Sequence, residues 1–503
     1  MNFNDWRVGI AAAVLVPVLG ACGGAGNDAS NKSAAGVSGT PPTNQTNTIE
    51  GAGRRGEHEE HNQSATTLEL SRTLLEALNE RAATSPEALT LPLLNELEKI
   101  PQDPSNPLTI EKILLGQRLF HETGLGLSGN HPERAGTYSC ASCHQASAGF
   151  KAGIPQGIGE GGDGFGEFGE GRVLATEMDG HLTGLNETRA DFQPVASPTI
   201  LNTAYQDVML WNGQFGNSED SVNQDIDEDR LLTPGTPKQT NARGLSGLET
   251  QAVAGLGVHR LSVGPESPLQ TNPSYIALFE AAYPDGSDDI LEDAAKAIAA
   301  YERIVLASEA PFQRWLRGDI FAMSDEALRG GNLFFGKAGC AACHQGAALS
   351  SAPGASANEI FFAVGFGDFD LADPQIHGEV SDADKRGRGG FTGEPEDDYK
   401  FKLPGLYNLT DASVLGHGAS FKSVREVIEY KNAAVPQQPA ATANLDPRFR
   451  PLGLSDAEID ALDSFLSEGL VDENLARYEP DALPTGQCFP VADAQARHDL
   501  GCD

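Results

Sequence analysis

Two pentapeptides of the form Cys-x-x-Cys-His constrain this chain more than any other feature: CASCH at Cys140–His144 and CAACH at Cys340–His344. Two cysteines three positions apart can form thioethers with the two vinyl groups of one haem, and the adjoining histidine then faces the iron. A redox Cys-x-x-Cys pair or half of a zinc site would explain one cysteine pair. Neither explains a histidine at the same offset, twice. The chain is therefore expected to carry two covalent c-type haems, attached at Cys140 and Cys143 and at Cys340 and Cys343, with His144 and His344 on the irons. The surrounding patterning is helical. Ile110–Phe120 and Asp325–Phe335 precede the motifs with apolar residues at three- and four-residue spacing. Asp289–Val305 is amphipathic, with Ile290, Ala294, Ile298, Tyr301 and Val305 on one side, and is placed to join two haem units. Leu454–Leu470 opens on Ser455 with Glu458 three residues later, a capping-box pattern, and is expected to pack over the second haem. Glycine and proline are abundant (57 and 30) and strand patterns scarce, so the predicted fold class is all-α, two cytochrome c-type haem domains with long loops. The acidic Gly-rich run Gly157–Gly171 and the polar stretch Asn217–Leu245 read as loop insertions.

The N-terminus speaks to compartment. Val8–Leu19 is a short apolar run behind Arg7 that ends in Leu19-Gly20-Ala21-Cys22, the pattern of a bacterial lipoprotein signal peptide and too short for a spanning helix. Cleavage before Cys22 would leave a lipidated N-terminus, and several acyl chains anchor well where one does not. The expected location is the periplasm or cell envelope, tethered to a membrane through Cys22. Of seven cysteines, one takes lipid and four take haem, which leaves Cys488 and Cys502 for a disulfide in an oxidising compartment. The expected division is 1–22 signal peptide, 23–66 flexible linker rich in small polar residues, 67–285 N-terminal haem domain, 286–475 C-terminal haem domain, and 476–503 a tail with the disulfide. A formal net charge of −36 excludes a general nucleic-acid binder, which needs clustered Lys and Arg. It allows steering of a basic redox partner at low salt.

Further segments accompany the motifs: LGQRLF (Leu115–Phe120), SPTILNTAY (Ser197–Tyr205), LWNG (Leu210–Gly213), GLETQA (Gly247–Ala252), Ile298–Asp319, and FKLPGLYN (Phe401–Asn408). In order and spacing the chain resembles the bacterial di-haem cytochrome c peroxidase and MauG family over Leu108–Leu470. The resemblance implies that the first haem reacts with hydrogen peroxide while the second collects electrons from a small cytochrome c or other redox protein. It makes His144 the proximal ligand of the peroxide-reactive haem, His344 that of the electron-transfer haem, and Trp211 the bridge between them.

Departures from the family pattern carry expectations of their own. Gln251 matches the family's distal glutamine, but the glutamate position ten residues on is Leu261, so His259 becomes the candidate to shuttle the peroxide proton. Where the family holds a histidine over the first iron, the segment Pro155–Gly161 has Glu160. That implies an open sixth site, with the Glu160 carboxylate solvated and mobile in its Gly-rich loop; His181 reaching back is the competing possibility. Many members place methionine on the second iron, yet Met1, Met178, Met209 and Met323 all precede the second motif. Aligning His417 with the family's histidine puts the ligand position on Lys431, beside Tyr430. Because MauG-type members use tyrosine there, the resemblance implies Tyr430, after a one-residue shift, as that iron's sixth ligand, with His417 and Lys431 as alternatives. Ala196 stands where the family has a calcium-binding asparagine, so calcium loses a ligand here. The function expected is reduction of hydrogen peroxide by a di-haem peroxidase. The alternatives are a MauG-like enzyme oxidising side chains of a partner protein and a non-enzymatic electron-transfer cytochrome.

Overall fold

Each haem motif follows a helix that crosses a second helix at a glycine, and this repeated crossing organises the molecule. The structure, a computed structural model, describes residues 53–80, 82–175, 190–216, 222–352, 354–367, 376, 378 and 380–502. Cys22, Met178 and His181 lie outside the described residues. Six helices that build the two motif regions are labelled here in chain order. They are α1 (Ile110–His121), α2 (Gly247–Val258), α3 (Ile290–Ile304), α4 (Asp325–Phe335), α5 (Val424–Ala433) and α6 (Asp456–Ser464).

Their starts are set by local chemistry. The side chains of Thr109, Asp289, Ser324 and Ser423 each accept a first-turn backbone N–H of α1, α3, α4 and α5. Ser455 and Glu458 form the expected capping box on α6. Helix α1 packs on α3 and α4 on α6, while α2 lies against α3 and α5 against α6. The closest approaches fall at Gly116, where a Cβ would sit 1.8 Å from the Ala297 carbonyl oxygen, and at Gly330, 1.9 Å from that of Ala461. Only a hydrogen fits at either place. Four residues after each glycine, a phenylalanine reaches the motif histidine: Phe120 lies 6.5 Å from His144 and Phe334 6.3 Å from His344, both tilted by 50°. The two halves are thus built on one plan.

Strand structure is confined to two antiparallel two-residue pairs among the described residues, Gly162–Asp163 with Val173–Leu174 and Phe361–Phe362 with Phe401–Lys402. The fold is helix-rich with long connecting segments, as the patterning predicts. Thr67–Asp503 pack as one compact unit. Of Met1–Thr66, the described residues 53–66 belong to a helix over Gly53–Leu78, so the linker expected to stay flexible to residue 66 is helical from Gly53 onward. The reason is local: Glu, Arg, Gln and Leu, all good helix formers, replace the Gly/Ser/Thr composition there. Among the described residues no helix is long and apolar enough to cross a membrane.

Two candidate haem sites

The first three residues of each motif, Cys140–Ser142 and Cys340–Ala342, form a single helical turn, and none of the four cysteines is in a disulfide. His144 Nδ1 lies 3.3 Å from the Phe150 carbonyl and His344 Nδ1 2.7 Å from the Leu349 carbonyl. A carbonyl can only accept, so Nδ1 carries the hydrogen and Nε2 keeps a lone pair for iron. Burial pushes both imidazoles down to about 4, which holds them in the neutral form that ligates. The residues present fit covalent haem at both motifs.

Beside the first motif, Cys140, Cys143 and His144 share a cavity of about 550 Å³ with Gln251, His259, Asp191 and Glu302. Helix α2 supplies Gln251, Ala252, Gly255 and Leu256 to this wall, and His259 is its C-terminal cap. His259 Nδ1 lies 2.8 Å from Asp191 Oδ2, and its Nε2 is 3.5 Å from the Gln193 side-chain amide. Burial opposes protonation of His259, but the Asp191 carboxylate outweighs it and holds the imidazole above its ordinary value. Burial likewise works against the charge on Asp191, and His259 nevertheless keeps that carboxyl below its ordinary value. Asp191 is delivered by the Gly-rich loop after the motif, which pairs with it: Gly159 N–H donates to the Asp191 carbonyl (2.7 Å) and Asp191 N–H to the Glu160 carbonyl (2.8 Å).

Glu160 does not behave as its loop composition suggests. It is fully buried, accepts from the His131 backbone N–H (2.7 Å), and lies 2.7 Å from Arg260 Nη2 in an ion pair. The expected solvated, mobile carboxylate is therefore corrected: a buried charge needs a partner, and Arg260 supplies one. Glu302, on α3, is a site residue that sequence reasoning passed over. Its carboxyl is pushed up to about 8 by burial, with Glu249 nearby, and its Oε2 has no hydrogen-bond partner among the described residues. The signal was available, because a glutamate four residues after Ile298 faces the same way as the apolar stripe.

The second motif is flanked by two cavities of about 1340 and 1260 Å³, parts of which are open to solvent. Both are lined by Cys340, His344, Lys431 and Leu452. The larger cavity is lined mainly by apolar side chains, among them Leu462 and Leu466, so the segment expected to cover the second haem borders this space. Its cations are Lys402, which is buried, and Lys151 and Lys431, which are partly buried; desolvation pushes Lys151, Lys402 and Lys431 down to about 8, 7 and 8 respectively. Trp211 also lines this cavity, donating from Nε1 to the Ala196 carbonyl (2.8 Å); it is not among the residues lining the first.

The three residues weighed for the second iron separate clearly. The Tyr430 hydroxyl donates to the Val364 carbonyl (2.6 Å) within a cluster of Phe366, Phe421 and Phe449, and Tyr430 lines neither cavity. His417 is buried with its ring 4.2 Å from Phe401 and edge-on to Trp211 at 5.7 Å, and it lines neither cavity. Lys431 lines both. No methionine borders either cavity among the described residues.

The C-terminal tail returns to the first motif. Cys488 and Cys502 are joined by a disulfide (Cα–Cα 5.9 Å). The hydroxyls of Ser139 and Ser142, either side of Cys140, both donate to the Pro490 carbonyl at 2.9 and 3.1 Å. Thr123 Oγ1 donates to the Cys488 carbonyl, and Arg172 pairs with Asp493 with both side chains buried.

Residues 110–320 match the di-haem cytochrome c peroxidase family. The cytochrome-c peroxidase IdrP1 of Denitromonas iodatirespirans is 30% identical over 421 residues, which cover 80% of this chain and 92% of that relative. The methylamine utilization protein MauG of Methylorubrum extorquens is 30% identical over 249 residues, 49% of this chain and 53% of MauG. Among solved structures, a MauG-like protein associated with microbial copper homeostasis aligns over 77% of this chain and 97% of its own, with a TM-score of 0.51 at 23% identity, a likeness of fold. With both motif sites laid out as above, the chain belongs to the di-haem cytochrome c peroxidase family, oxidoreductases that carry two c-type haems.

Proposed function

We propose that this protein is an exported, lipid-anchored peroxidase that reduces hydrogen peroxide at the His144 site with electrons entering through the His344 site. The observation that carries the reading is the difference between the cavities. The first holds a histidine–aspartate pair, a glutamine and a buried carboxyl, while the larger cavity at the second motif is lined mainly by apolar side chains, with no carboxyl and no histidine other than the motif's own. Reduction of one peroxide to two waters consumes two electrons and two protons, so one site must manage protons and the other need not.

Cys140 and Cys143 would hold the first haem and Cys340 and Cys343 the second, with Nε2 of His144 and His344 on the irons; bound haem supplies the redox chemistry. Lys151 and Lys402, which line the cavity at the second motif without an ion pair among the described residues, would balance haem carboxylates there. His259 Nε2 takes the proton from one peroxide oxygen and returns it to the other, while Asp191 holds the opposite nitrogen and stabilises the charged imidazole. Gln251 offers an amide to orient the peroxide. Glu302, neutral at pH 7, can donate a hydrogen bond or a proton toward the same cavity. Trp211 beside the second site is the residue through which electrons pass toward the first. The donor would be a small basic cytochrome c, drawn by the net charge of −36.

Neither Glu160 nor any other described side chain is assigned to the first iron's sixth position, so the all-ferric protein should react with peroxide on mixing. Stopped-flow mixing with peroxide, beside electron paramagnetic resonance of the resting protein, tests this. One high-spin haem and immediate reaction support the reading. An inert all-ferric form that responds only after half-reduction would overturn it and point to His181. Steady-state turnover with a reduced small cytochrome supports peroxide reduction, whereas none, with oxidation of a protein partner, would favour the MauG-like alternative. Cys22→Ala should release the protein from membranes; continued retention would remove the lipid anchor.

A further inference from the structure

We infer that Lys431, through Nζ, would supply the sixth ligand to a haem iron held at the second motif. The inference rests on the two-haem reading above and concerns a residue that stood as an alternative to its neighbour Tyr430.

The argument starts from helix periodicity. On α5, Val424, Val427, Ile428 and Lys431 all line the larger cavity, and their spacing of three, four and seven residues is one face of a helix. Tyr430 is turned about 100° away, given 3.6 residues per turn, and its hydroxyl is already committed to the Val364 carbonyl. Lys431 alone extends that face to the motif, where it borders both cavities together with Cys340 and His344.

Its surroundings are those of a nitrogen awaiting a partner. Nζ lies over the rings of Phe366, Phe449 and Tyr430 at 4.7, 5.3 and 5.7 Å, and it has no hydrogen bond or ion pair among the described residues. An ammonium buried this way is strongly disfavoured unless paired. A neutral amine bound to a metal avoids that cost, because its lone pair is used and its charge is gone. Binding releases one proton to solvent and forms one nitrogen–iron bond, with no change in oxidation state.

The molecule's internal repeat gives independent support. On α2 the residues facing the first cavity are Gln251, Ala252, Gly255 and Leu256, followed by the helix cap His259. From Ala252 to His259 the spacing is the same as that of Val424, Val427, Ile428 and Lys431 on α5. Lys431 therefore occupies, over the second motif, the place that His259 occupies over the first. One position serves acid–base chemistry where Asp191 restrains it, and ligation where nothing does.

The test is spectroscopic and uses the full holoprotein. With ¹⁵N-lysine incorporated, pulsed electron paramagnetic resonance of the resting low-spin haem should show a ¹⁵N coupling absent from unlabelled protein. Its absence would overturn the assignment without any mutation. In variants, Tyr430→Phe should leave the low-spin signal unchanged. Lys431→Met should introduce the near-infrared methionine-to-iron charge-transfer band and raise that haem's potential, since methionine ligation raises it. Retention of the wild-type low-spin signal in Lys431→Met, or its loss in Tyr430→Phe, would overturn the proposal. Mass spectrometry run alongside separates the two levels: one haem adduct per chain defeats the two-haem reading, while two adducts with an unchanged signal defeat Lys431 alone.

Discussion

Replacing Asp191 with asparagine tests the acid–base site with little steric change. The substitution would keep the side chain's shape but remove the charge that His259 Nδ1–H now meets at 2.8 Å. A hydrogen bond to a charged group is worth about 1.5–3 kcal/mol, or about 10- to 150-fold in rate at 1.4 kcal/mol per decade. The side chains of His259 and Asp191 are 28% and 10% exposed, so water screens the pair and the effect belongs at the lower end, near tenfold. His259→Ala removes the proton carrier itself and should cost about 10²–10⁴ in the peroxide rate constant. Stopped-flow mixing across pH reads both. With neutral His259 as the base, the wild-type rate falls on the acid side as the imidazole protonates. Asp191 raises the pH at which that happens. In Asp191→Asn the acid limb should move to lower pH while the plateau drops. Stability carries the same sign. The raised folded-state value makes the His259 contribution complete below about 6.5 and lost as pH rises through the folded value. Asp191→Asn should therefore cost most stability in mild acid. A variant that keeps both the wild-type rate and the wild-type acid limb, with two haems attached, would refute the role of the pair.

Gly116→Ala and Gly330→Ala each drive a methyl into a backbone carbonyl, and a helix shift costing at least about 1–3 kcal/mol should follow in thermal melts. The first variant should disturb the spectrum of the first haem and the second that of the other; melting temperatures equal to wild type would show that the crossings are looser than described. Glu302 has a raised folded-state value, so the folded state binds its proton more tightly and stability falls as pH rises from 4.5 to about 8. Glu302→Gln should flatten that fall in denaturant titrations, and a fall identical to wild type would mean the carboxyl is not held neutral. Arg303 makes two hydrogen bonds to Glu249 with both side chains nearly fully buried, so Arg303→Leu should cost about 3–5 kcal/mol by leaving a buried carboxylate unpaired. A loss below about 1 kcal/mol, on the order of a surface pair, would contradict that burial.

What could be read in advance was local. The helices before the motifs, the long helix Ile290–Ile304 and the Ser455–Glu458 cap follow from spacings within a single turn or two, and the structure places them where those spacings predict. The internal repeat was also legible, since LGQRLF and GGNLF share a glycine and a phenylalanine four residues apart. Its meaning needed the crossing carbonyls of Ala297 and Ala461, which no window of sequence contains. Asp191 lies 68 residues from the His259 it restrains and sits in no motif, so only folding identifies it. Glu160 was misjudged because loop composition argues for solvent, whereas Arg260, far along the chain, makes burial tolerable. Tyr430 was favoured for its residue type, one position off the family register; the face of α5 formed by Val424, Val427 and Ile428 points to Lys431 instead.

The tail's grip on the first motif has a consequence for how the protein matures. If the chain is exported N-terminus first, as proposed, Cys140 and Cys143 would emerge long before Pro490 has followed. Until then the hydroxyls of Ser139 and Ser142 lack the carbonyl they finally share, and the turn between the cysteines stands open on that side. Haem loading at this motif would then have a window that closes when the last residues arrive, with the Cys488–Cys502 disulfide fastening the tail behind it.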